Sequence, residues 1–344
     1  MVVKFSHKRT ITVLALAAGV GCAAAQDAGF SQPYAAPLYL NPAYSGVSEF
    51  SRVGGGYRYA WAQLGEPYTT YALFADHYFD DFKSGVGLCA VSDRQAGGAL
   101  VQSSFGASYA YNLRLAEKTF MRFGIQAQLG VTSANASKLV FPDMVSPGGG
   151  VVSAEPYASA QRTYFDMALG GVFSHSIFFA GAALHHLTGS PDAELLGQRI
   201  TTPRKLTVNA GCNIPIRLNP NAARYYREED ETLIISPNVI YWQQGMYSSY
   251  AAGAYLSVKG FSGGVFYKSE VSSAANFISF SVGYSTDLVG LMYSFDVGSI
   301  SGGVRANLPN THEVSLILKI RKTARNDYRL QWEKPYRVQN TPVV

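Results

Sequence analysis

Apolar and polar side chains alternate with a period of two along most of this chain. In residues 101–115, VQSSFGASYAYNLRL, the odd positions are mostly apolar or aromatic and the even positions are mostly small or polar. Residues 121–131, MRFGIQAQLGV, repeat the pattern. Because successive side chains of a strand point to opposite faces, each segment predicts a strand with one apolar and one polar face. Both lengths are near the roughly 9–11 residues with which a tilted strand crosses a bilayer.

About fourteen segments of this kind can be found, and an even number is expected of a single-chain outer-membrane barrel. The predicted fold is therefore all-β: a transmembrane antiparallel up-and-down β-barrel. The predicted strands are residues 52–63, 69–79, 84–92, 100–115, 119–133, 164–174, 177–187, 204–214, 232–243, 247–258, 261–269, 276–285, 289–297 and 312–320.

The connections between these segments predict the orientation. An even strand number places both termini on the same side, which we expect to be the periplasm. Turns after even-numbered strands are then short and periplasmic, and the longer connections at 134–163, 188–203 and 298–311 face outward. Residues 215–231, which contain RYYREEDE, are a long connection on the side of the short turns and do not fit this pattern.

A soluble β-sandwich would alternate in the same way, so composition is needed to separate the two. Only 15% of the residues are charged, against about 25% in typical soluble proteins. Glycine recurs on the polar faces, at Gly54, Gly56, Gly124 and Gly130, and aromatic residues cluster near segment ends, as in YRYAW (57–61) and Tyr241-Trp242. Aromatic girdles at both interfaces are typical of membrane barrels, which favours the barrel.

The first residues resemble a secretory signal. Lys4, Lys8 and Arg9 precede an apolar run at 11–18 and a small-residue stretch ending at Ala25, which predicts a signal peptide at 1–25 and a mature start at Gln26. Lipidation of Cys22 is the alternative, although Gly19 occupies a position where lipoprotein signals prefer Leu. The remaining chain divides into an N-terminal periplasmic or plug segment (26–50), the barrel (51–320) and a basic periplasmic tail (321–344).

The formal net charge of +5 belongs to the two ends of the chain. Without the signal segment and the stretch from Lys319 onward, acidic residues outnumber basic ones, so nucleic-acid binding is not indicated. The tail is either solvated or a docking arm for an acidic partner. The docking interpretation rests on interspersed basic and aromatic residues: Arg321, Lys322, Arg325, Tyr328, Arg329 and Trp332.

No HExxH, P-loop, GxSxG or CxxC motif occurs, so no enzyme, cofactor or metal is predicted. His185 and His186 are expected to point to opposite faces of a strand end and not to share a site. The strand pattern also places Cys89 on the luminal face and Cys212 on the lipid face, so the two are not expected to pair.

The polar faces carry candidate luminal charges at Arg122, Asp166 and Asp296, because a charge facing lipid would be costly. They predict either a ladder of charges that fills and stiffens the barrel, which we favour for this size, or a path for solutes.

The stretch LYLNPAYSG (38–46) precedes the first strand. Pro42 cannot donate to a sheet and restricts Asn41 to extended geometry, and Asn-Pro followed by Ser-Gly favours turns. Leu38, Leu40 and Tyr44 would be poorly placed in a free linker. We therefore expect a plug or lip at the periplasmic mouth of the barrel rather than a simple linker into the first strand.

An ordered series of motifs resembles the PorP/SprF family of type IX secretion outer-membrane proteins. The start QDAGFSQPYAAPLYLNPAYSG resembles that family's Q-D-x-x-F-S-Q-like run and L-x-x-N-P-A-[YF]-[AS]-G motif, here carried by Leu40, Asn41, Pro42, Tyr44 and Gly46 with their neighbours. YRYAW resembles Y-R-x-Q-W through Arg58 and Trp61, with Ala60 departing from the usual polar residue. Further resemblances, spanning nearly the whole mature chain, are GVGLCAVSDRQAG (85–97), SYAYNLRL (108–115), RFGIQAQLG (122–130), FPD (141–143), SPNVIYWQQ (236–244), YSFDVGSISG (293–302) and THEVSLILKI (311–320).

The resemblance implies a fatty-acid-transporter-like barrel in the cell outer membrane, surrounded by lipid and without enzymatic activity. It implies a role in exporting or surface-attaching proteins with C-terminal sorting domains, such as adhesins and secreted proteases, and in gliding motility in some members. The implied partners are a sorting-domain substrate or cognate surface adhesin, and other type IX components such as a periplasmic ring lipoprotein and its partner. An outer-membrane channel for small or hydrophobic solutes is the alternative function.

Overall fold

The computed structural model describes residues 27–48, 51–61, 67–138, 144, 160–189, 193–195, 198–200, 202–218, 232–272, 275–300 and 306–320. The predicted signal peptide and the basic tail lie outside these residues, as do Cys22 and all six candidate docking residues of the tail.

Alternating segments of the described chain form one antiparallel sheet and a short separate hairpin. The hairpin is β8–β9, and every other strand belongs to the large sheet. The strands are β1 (Ser51–Ala60), β2 (Tyr68–Phe79), β3 (Ser84–Gln95), β4 (Leu100–Ala116), β5 (Thr119–Ala134), β6 (Ala160–His175), β7 (Phe178–His185), β8 (Ala193–Leu195), β9 (Gln198–Ile200), β10 (Lys205–Cys212), β11 (Ile214–Arg217), β12 (Thr232–Gln244), β13 (Tyr247–Val258), β14 (Phe261–Glu270), β15 (Ala275–Ser285), β16 (Val289–Ile300) and β17 (Ala306–Ile320).

The large sheet closes on itself. β1 pairs with both β2 and β17, and β12 pairs with both β10 and β13. β10 and β11 lie end to end on either side of Asn213 and share β12 as a partner, so they are two pieces of one position in the wall. The described strands thus form a closed up-and-down barrel of 14 positions, which confirms the predicted fold class.

Each predicted strand is present, and the differences lie at the ends. The first strand ends at Ala60 rather than 63, because Trp61 has a left-handed backbone (φ 62°) and leaves the sheet. The last strand begins at Ala306, earlier than the expected 312. Part of the irregular connection 215–231 is strand: Ile214–Arg217 extends the wall, and residues 219–231 lie outside the described chain.

The two ends of the barrel differ. The terminal end carries the start of β1 and the end of β17 together with tight turns, such as those between β4 and β5 and between β13 and β14. The loop end carries the connections between β5 and β6 and between β7 and β10. No helix among the described residues is long and apolar enough to span a membrane.

Apolar side chains cover the outside of the wall and polar ones fill the inside. Leu73, Phe105, Phe123 and Leu129 are half or more exposed on the outer face, as lipid-facing residues would be in the isolated chain. Of the aromatic residues expected at the membrane interfaces, Tyr57 lies on the outer face, but Trp61 and Trp242 line an internal cavity. Trp242 falls on the inner face because it shares the strand parity of the buried Ile240 and Gln244.

Candidate functional site

Residues 27–48 lie inside the barrel, and we call them the plug. They include two 3₁₀ turns, Pro33–Ala35 and Pro42–Tyr44, and one short helix, α1 (Pro37–Leu40). Leu38, Asn41 and Ala43 are fully buried. The LYLNPAYSG stretch is therefore part of the barrel's interior core.

Asn41 links the plug's own backbone to the wall. It is extended (φ −160°, ψ 122°), and its Oδ1 accepts the N–H of Ala43 at 2.9 Å, which caps the second 3₁₀ turn. Its Nδ2 donates to the carbonyls of Gly171 in β6 and Ala182 in β7, both at 3.1 Å. Because Pro42 holds Asn41 extended, the Asn-Pro pair sets the direction of both contacts.

Luminal glycines provide the space into which the plug packs. A Cβ placed at Gly124 would collide with the backbone at Ala43, and one at Gly170 would collide with Asn41 Oδ1. Gly46 of the plug has φ +61° and packs on the backbone of β2 and β3. Small residues on the polar face thus let two backbones approach closely, which explains part of the glycine pattern in the sequence.

Arg122 and Asp76 hold the end of the plug, just before the chain enters β1. The Arg122 guanidinium donates to the carbonyls of Ala43 (3.0 Å) and Ser45 (2.5 Å). The Asp76 carboxylate accepts the N–H of Gly46 at 2.7 Å and a bidentate pair from Arg52 at 2.9 and 2.8 Å. Arg122 was a candidate from sequence and Asp76 was not, although alternation in β2 places Asp76 on the polar face.

A second set of charges holds the start of the plug at the loop end. Asp27 accepts from Lys205 Nζ at 3.1 Å and lies 3.0 Å from Nε2 of His186. Nδ1 of the same ring lies 2.5 Å from Asp166 Oδ2. Asp166, a luminal candidate from sequence, therefore contacts the plug through an imidazole.

Ionisation within this cluster is mutually reinforcing. Burial alone would raise the pKa of Asp27, but Lys205 and His186 hold it well below its usual value of 3.8. Burial likewise disfavours the charged form of His186, but Asp27 and Asp166 raise its pKa to about 9. At neutral pH, a buried imidazolium thus lies between two carboxylates.

The expectation that His185 and His186 point to opposite faces is wrong. β7 ends at His185, and His186 takes a left-handed backbone (φ 59°) that turns its ring inward. Both histidines are buried, and His185 Nε2 lies 3.3 Å from the carbonyl of Leu40. The strict alternation of a strand does not apply beyond its last residue.

Two acidic residues of β16 and β17 hold the plug before its first 3₁₀ turn. Glu313 accepts the N–H groups of Ser31 (2.7 Å) and Gln32 (3.1 Å). Asp296, the third luminal candidate, accepts the Ser31 hydroxyl, and Gln32 bonds Ser294 and Ser315. The three candidate charges thus lie apart on the wall, and each contacts the plug directly or through one residue.

An apolar cluster fills the remaining space between plug and wall. It joins Tyr34, Leu40 and Tyr44 of the plug to Ile240 and Tyr255 of the wall. The two tyrosine hydroxyls remain hydrogen-bonded: Tyr44 accepts from Asn209 at 2.6 Å, and Tyr34 donates to Asn238 at 3.2 Å.

A cavity of about 580 Å³ lies at the loop end, beside the start of the plug. Plug residues 27–30 and Tyr39 form one side, and the wall contributes aromatic, amide, hydroxyl and charged groups. The motif residues Arg58 and Trp61 line this cavity, away from the Asn-Pro contacts. No local sequence pattern indicates this cavity, because its lining comes from strands that are distant along the chain.

The remaining expectations from the sequence concern the cysteines and metal binding. Cys89 is buried and Cys212 half-buried, and both are free, as expected. Among the described residues, no group of three or more His, Cys, Asp or Glu is arranged to hold a metal ion.

The closed wall with an apolar exterior and a filled polar interior defines an outer-membrane β-barrel. Residues 22–318 match the type IX secretion system membrane protein family PorP/SprF. The chain belongs to this family and is a non-enzymatic secretion-system membrane protein.

Three solved structures are similar to this chain. The CymD monoaromatic hydrocarbon channel is 13% identical, with a TM-score of 0.49 over 88% of this chain and 96% of its own. The P. putida toluene transporter TodX is 10% identical, with a TM-score of 0.48 over 82% and 92%. A Pseudomonas aeruginosa FadL homologue is 11% identical, with a TM-score of 0.41 over 79% and 90%. No curated protein matches the sequence.

Proposed function

We propose that this barrel supports export or surface attachment of proteins with C-terminal sorting domains, with both of its termini in the periplasm. Its partners would be such a substrate or a cognate surface adhesin, together with other type IX components. Family membership assigns the chain to the type IX secretion system. The plug, which is held inside the barrel, is the observation that favours a structural role within the secretion machine over free solute passage.

The plug is held from around the wall. Its contacts reach β2, β5, β6, β7, β10, β12 and β17, and they combine buried charge pairs with backbone hydrogen bonds. Releasing such a segment would break several buried polar contacts, each worth about 1–3 kcal/mol when one partner is left unsatisfied. Passage of small solutes would need that release, which favours a constitutively filled barrel.

The competing function is a channel for small or hydrophobic solutes, and the loop-end cavity is the feature that favours it. Gene deletion separates the two functions. Under our proposal, secretion or surface display of sorting-domain proteins is lost and is restored by the wild-type gene. Intact secretion together with reduced solute uptake would show that the channel is the better description.

We also propose that the basic tail docks the periplasmic ring. A chain stopped after Ile320 should retain the barrel but recover less ring lipoprotein and partner from gently solubilised outer membrane. Changing Arg321, Lys322, Arg325 and Arg329 to Gln should have the same effect, whereas lysine at the three arginine positions should preserve recovery. Undiminished recovery with the truncated chain would refute docking by the tail.

A further inference from the structure

The charged side chains around the loop-end cavity balance one another. Its lining contains three acidic and three basic residues: Asp27, Asp93, Glu270, Arg58, Lys205 and Lys268. Every one of these cations has a carboxylate oxygen nearby, at 3.1 Å for Lys205–Asp27, 3.6 Å for Lys268–Glu270 and 3.8 Å for Arg58–Glu313. The lining therefore carries no formal net charge.

The remaining acid, Asp93, is also satisfied, because it accepts from Thr70 at 2.6 Å and from Gln95 at 2.8 Å. A charged ligand would have to replace one of these contacts, and removing one partner of a buried charge pair is costly. An uncharged ligand leaves all of them intact, so the charges of the cavity favour an uncharged ligand.

Uncharged polar groups of the same lining, in contrast, are unused. Four of them have no hydrogen-bond partner among the described residues: the Gln102 amide and the hydroxyls of Tyr68, Thr132 and Ser249. All four side chains are partly exposed, and none of these polar atoms is sealed from solvent. They belong to β4, β2, β5 and β13, so they reach the cavity from both sides of the lumen. Amides and hydroxyls can both donate and accept hydrogen bonds.

Aromatic rings line the cavity beside these polar groups. Trp61, Tyr68 and Trp242 are partly exposed there, and Tyr247 is 37% exposed. Trp61 and Tyr68 meet edge to face, with their centroids 4.6 Å apart. The face of an aromatic ring carries partial negative charge and attracts the weakly positive C–H groups of a ligand. The cavity thus offers flat apolar surfaces next to unused donors and acceptors.

Sugars have the complementary chemistry. A pyranose ring presents hydroxyls that both donate and accept, and C–H groups that pack on aromatic faces. A hydrocarbon would leave the four polar groups unpaired, at a cost for each group that it shields from water. An extended peptide is commonly recognised by pairing with a free strand edge, but β4 and β13 each pair with a neighbour on both sides. These comparisons favour an uncharged carbohydrate.

We propose that the loop-end cavity binds a short, uncharged carbohydrate segment. The aromatic rings pack against its sugar rings, and the Gln102 amide and the unused hydroxyls bind its hydroxyl groups. The volume of about 580 Å³ is within the usual range for small-ligand pockets. This site is independent of the role in secretion, because it rests only on the lining of the cavity.

The three tryptophans of the chain make binding directly observable. Trp61 and Trp242 line the cavity, and Trp332 lies in the tail. In the Trp332→Phe chain, tryptophan fluorescence therefore reports on the cavity alone. The protein is purified in lauryldimethylamine oxide, because a detergent with a sugar head group would occupy the site.

The probes are maltose, cellobiose, lactose and mannobiose, compared with digalacturonate, acetyl-Ala-Ala-amide and octanol. At least one disaccharide should change the fluorescence saturably and bind about tenfold more tightly than each of the three comparison compounds. No response to any of the four disaccharides at millimolar concentration would overturn the proposal. A comparison compound that binds as tightly as the best disaccharide would do so as well.

Variants then locate the site. Gln102→Leu should weaken the best disaccharide by about tenfold through loss of hydrogen bonds. Trp61→Leu should abolish binding, and Trp61→Phe should retain part of it. Gln161→Leu is the matched control for Gln102→Leu, because Gln161 is exposed on β6 and does not line the cavity. Equal affinity of the two glutamine variants would contradict the assigned site. The comparison among probes needs no change in the barrel, so misfolding of a variant leaves that test intact.

The same sugars occur on soluble glycans and on the head groups of membrane glycolipids. Lipopolysaccharide added to the micelles separates these sources. Displacement of the bound disaccharide would assign a glycolipid head group, and undiminished disaccharide binding would assign a soluble glycan. Secretion in the gene deletion tests the proposed function and does not bear on this site.

Discussion

At the scale of single residues, glycine and arginine have complementary roles in seating the plug. Gly124 and Gly170 remove side chains where the plug's backbone and Asn41 must pass, and Arg122 fills the hydrogen-bonding needs of the carbonyls brought there. One residue type makes room and the other prevents the buried carbonyls from being unsatisfied. In the sequence, these glycines and Arg122 can be recognised only as residues on the polar face of a strand.

Gly170→Ala should displace the plug, since the new Cβ would overlap Asn41 Oδ1. We expect destabilisation of the seated plug by about 1–3 kcal/mol, as for overpacked cores. Limited proteolysis of residues 27–48 in the folded barrel measures this. Gly171→Ala is the control, because Gly171 faces outward and its Cβ would meet the Arg122 carbonyl at an ordinary 3.7 Å. Equal protease resistance in both variants would contradict the packing argument.

Arg122→Met should loosen the same region by a different route. The carbonyls of Ala43 and Ser45 would lose their charged donor, at a cost of about 1–3 kcal/mol each before relaxation. The measurement is the rate of cleavage near Ser45, with Arg114→Met as the control for loss of an exposed charge. Cleavage as slow as in the wild type would mean that the Arg122 contacts contribute little to seating the plug.

At the scale of elements, the plug and the barrel wall are stabilised differently. The wall is held by backbone pairing between neighbouring strands. The plug has little regular structure and depends on side chains from the wall, with a charged cluster at the loop end and Arg122 and Asp76 at the terminal end. Changes in protonation should therefore affect the plug before the wall.

The Asp27–His186 contact predicts a pH window. The raised His186 pKa means that its contribution is complete below its usual 6.5 and is lost as pH rises through about 9. The lowered Asp27 pKa means that its contribution is present above 3.8 and is lost as pH falls through its depressed value. Protease sensitivity of the plug should rise at both extremes. His186→Gln should remove the alkaline rise, and a persistent rise in that variant would assign it to another group.

At the scale of the whole molecule, the plug determines what kind of barrel this is. Its residues cross the lumen from the loop end at Asp27 to the terminal end at Gly46 before the chain enters β1. The same wall without the plug would enclose a polar channel, because Asp76, Arg122, Asp166 and Glu313 would face open space.

Deleting residues 27–46 should therefore convert a closed barrel into a conducting one. Planar-bilayer recordings should show stable single-channel conductance for the deletion and little for the wild type. Heat-dependent migration on gels would confirm that the deleted form is still a folded barrel. Comparable conductance in the two proteins would mean that ions bypass the seated plug.

Much of the fold could be read from the sequence because strand alternation is a local property. Period-two patterning predicted the strands and the closed antiparallel barrel, and placed Arg122, Asp166 and Asp296 on polar faces. The Asn-Pro pair and the apolar residues around it predicted a packed segment. These features depend on residues that are close along the chain.

Only the tertiary structure decided which of these residues meet. Barrel closure brings Ser31 to Glu313 and Asp27 to Lys205, and no short-range pattern specifies such pairs. A left-handed backbone at His186 turns its ring into the lumen, and closure of the barrel gathers Trp242, Trp61 and Tyr39 around one cavity. Local alternation states which face a side chain takes, while the partner on that face depends on the closed shape of the whole sheet.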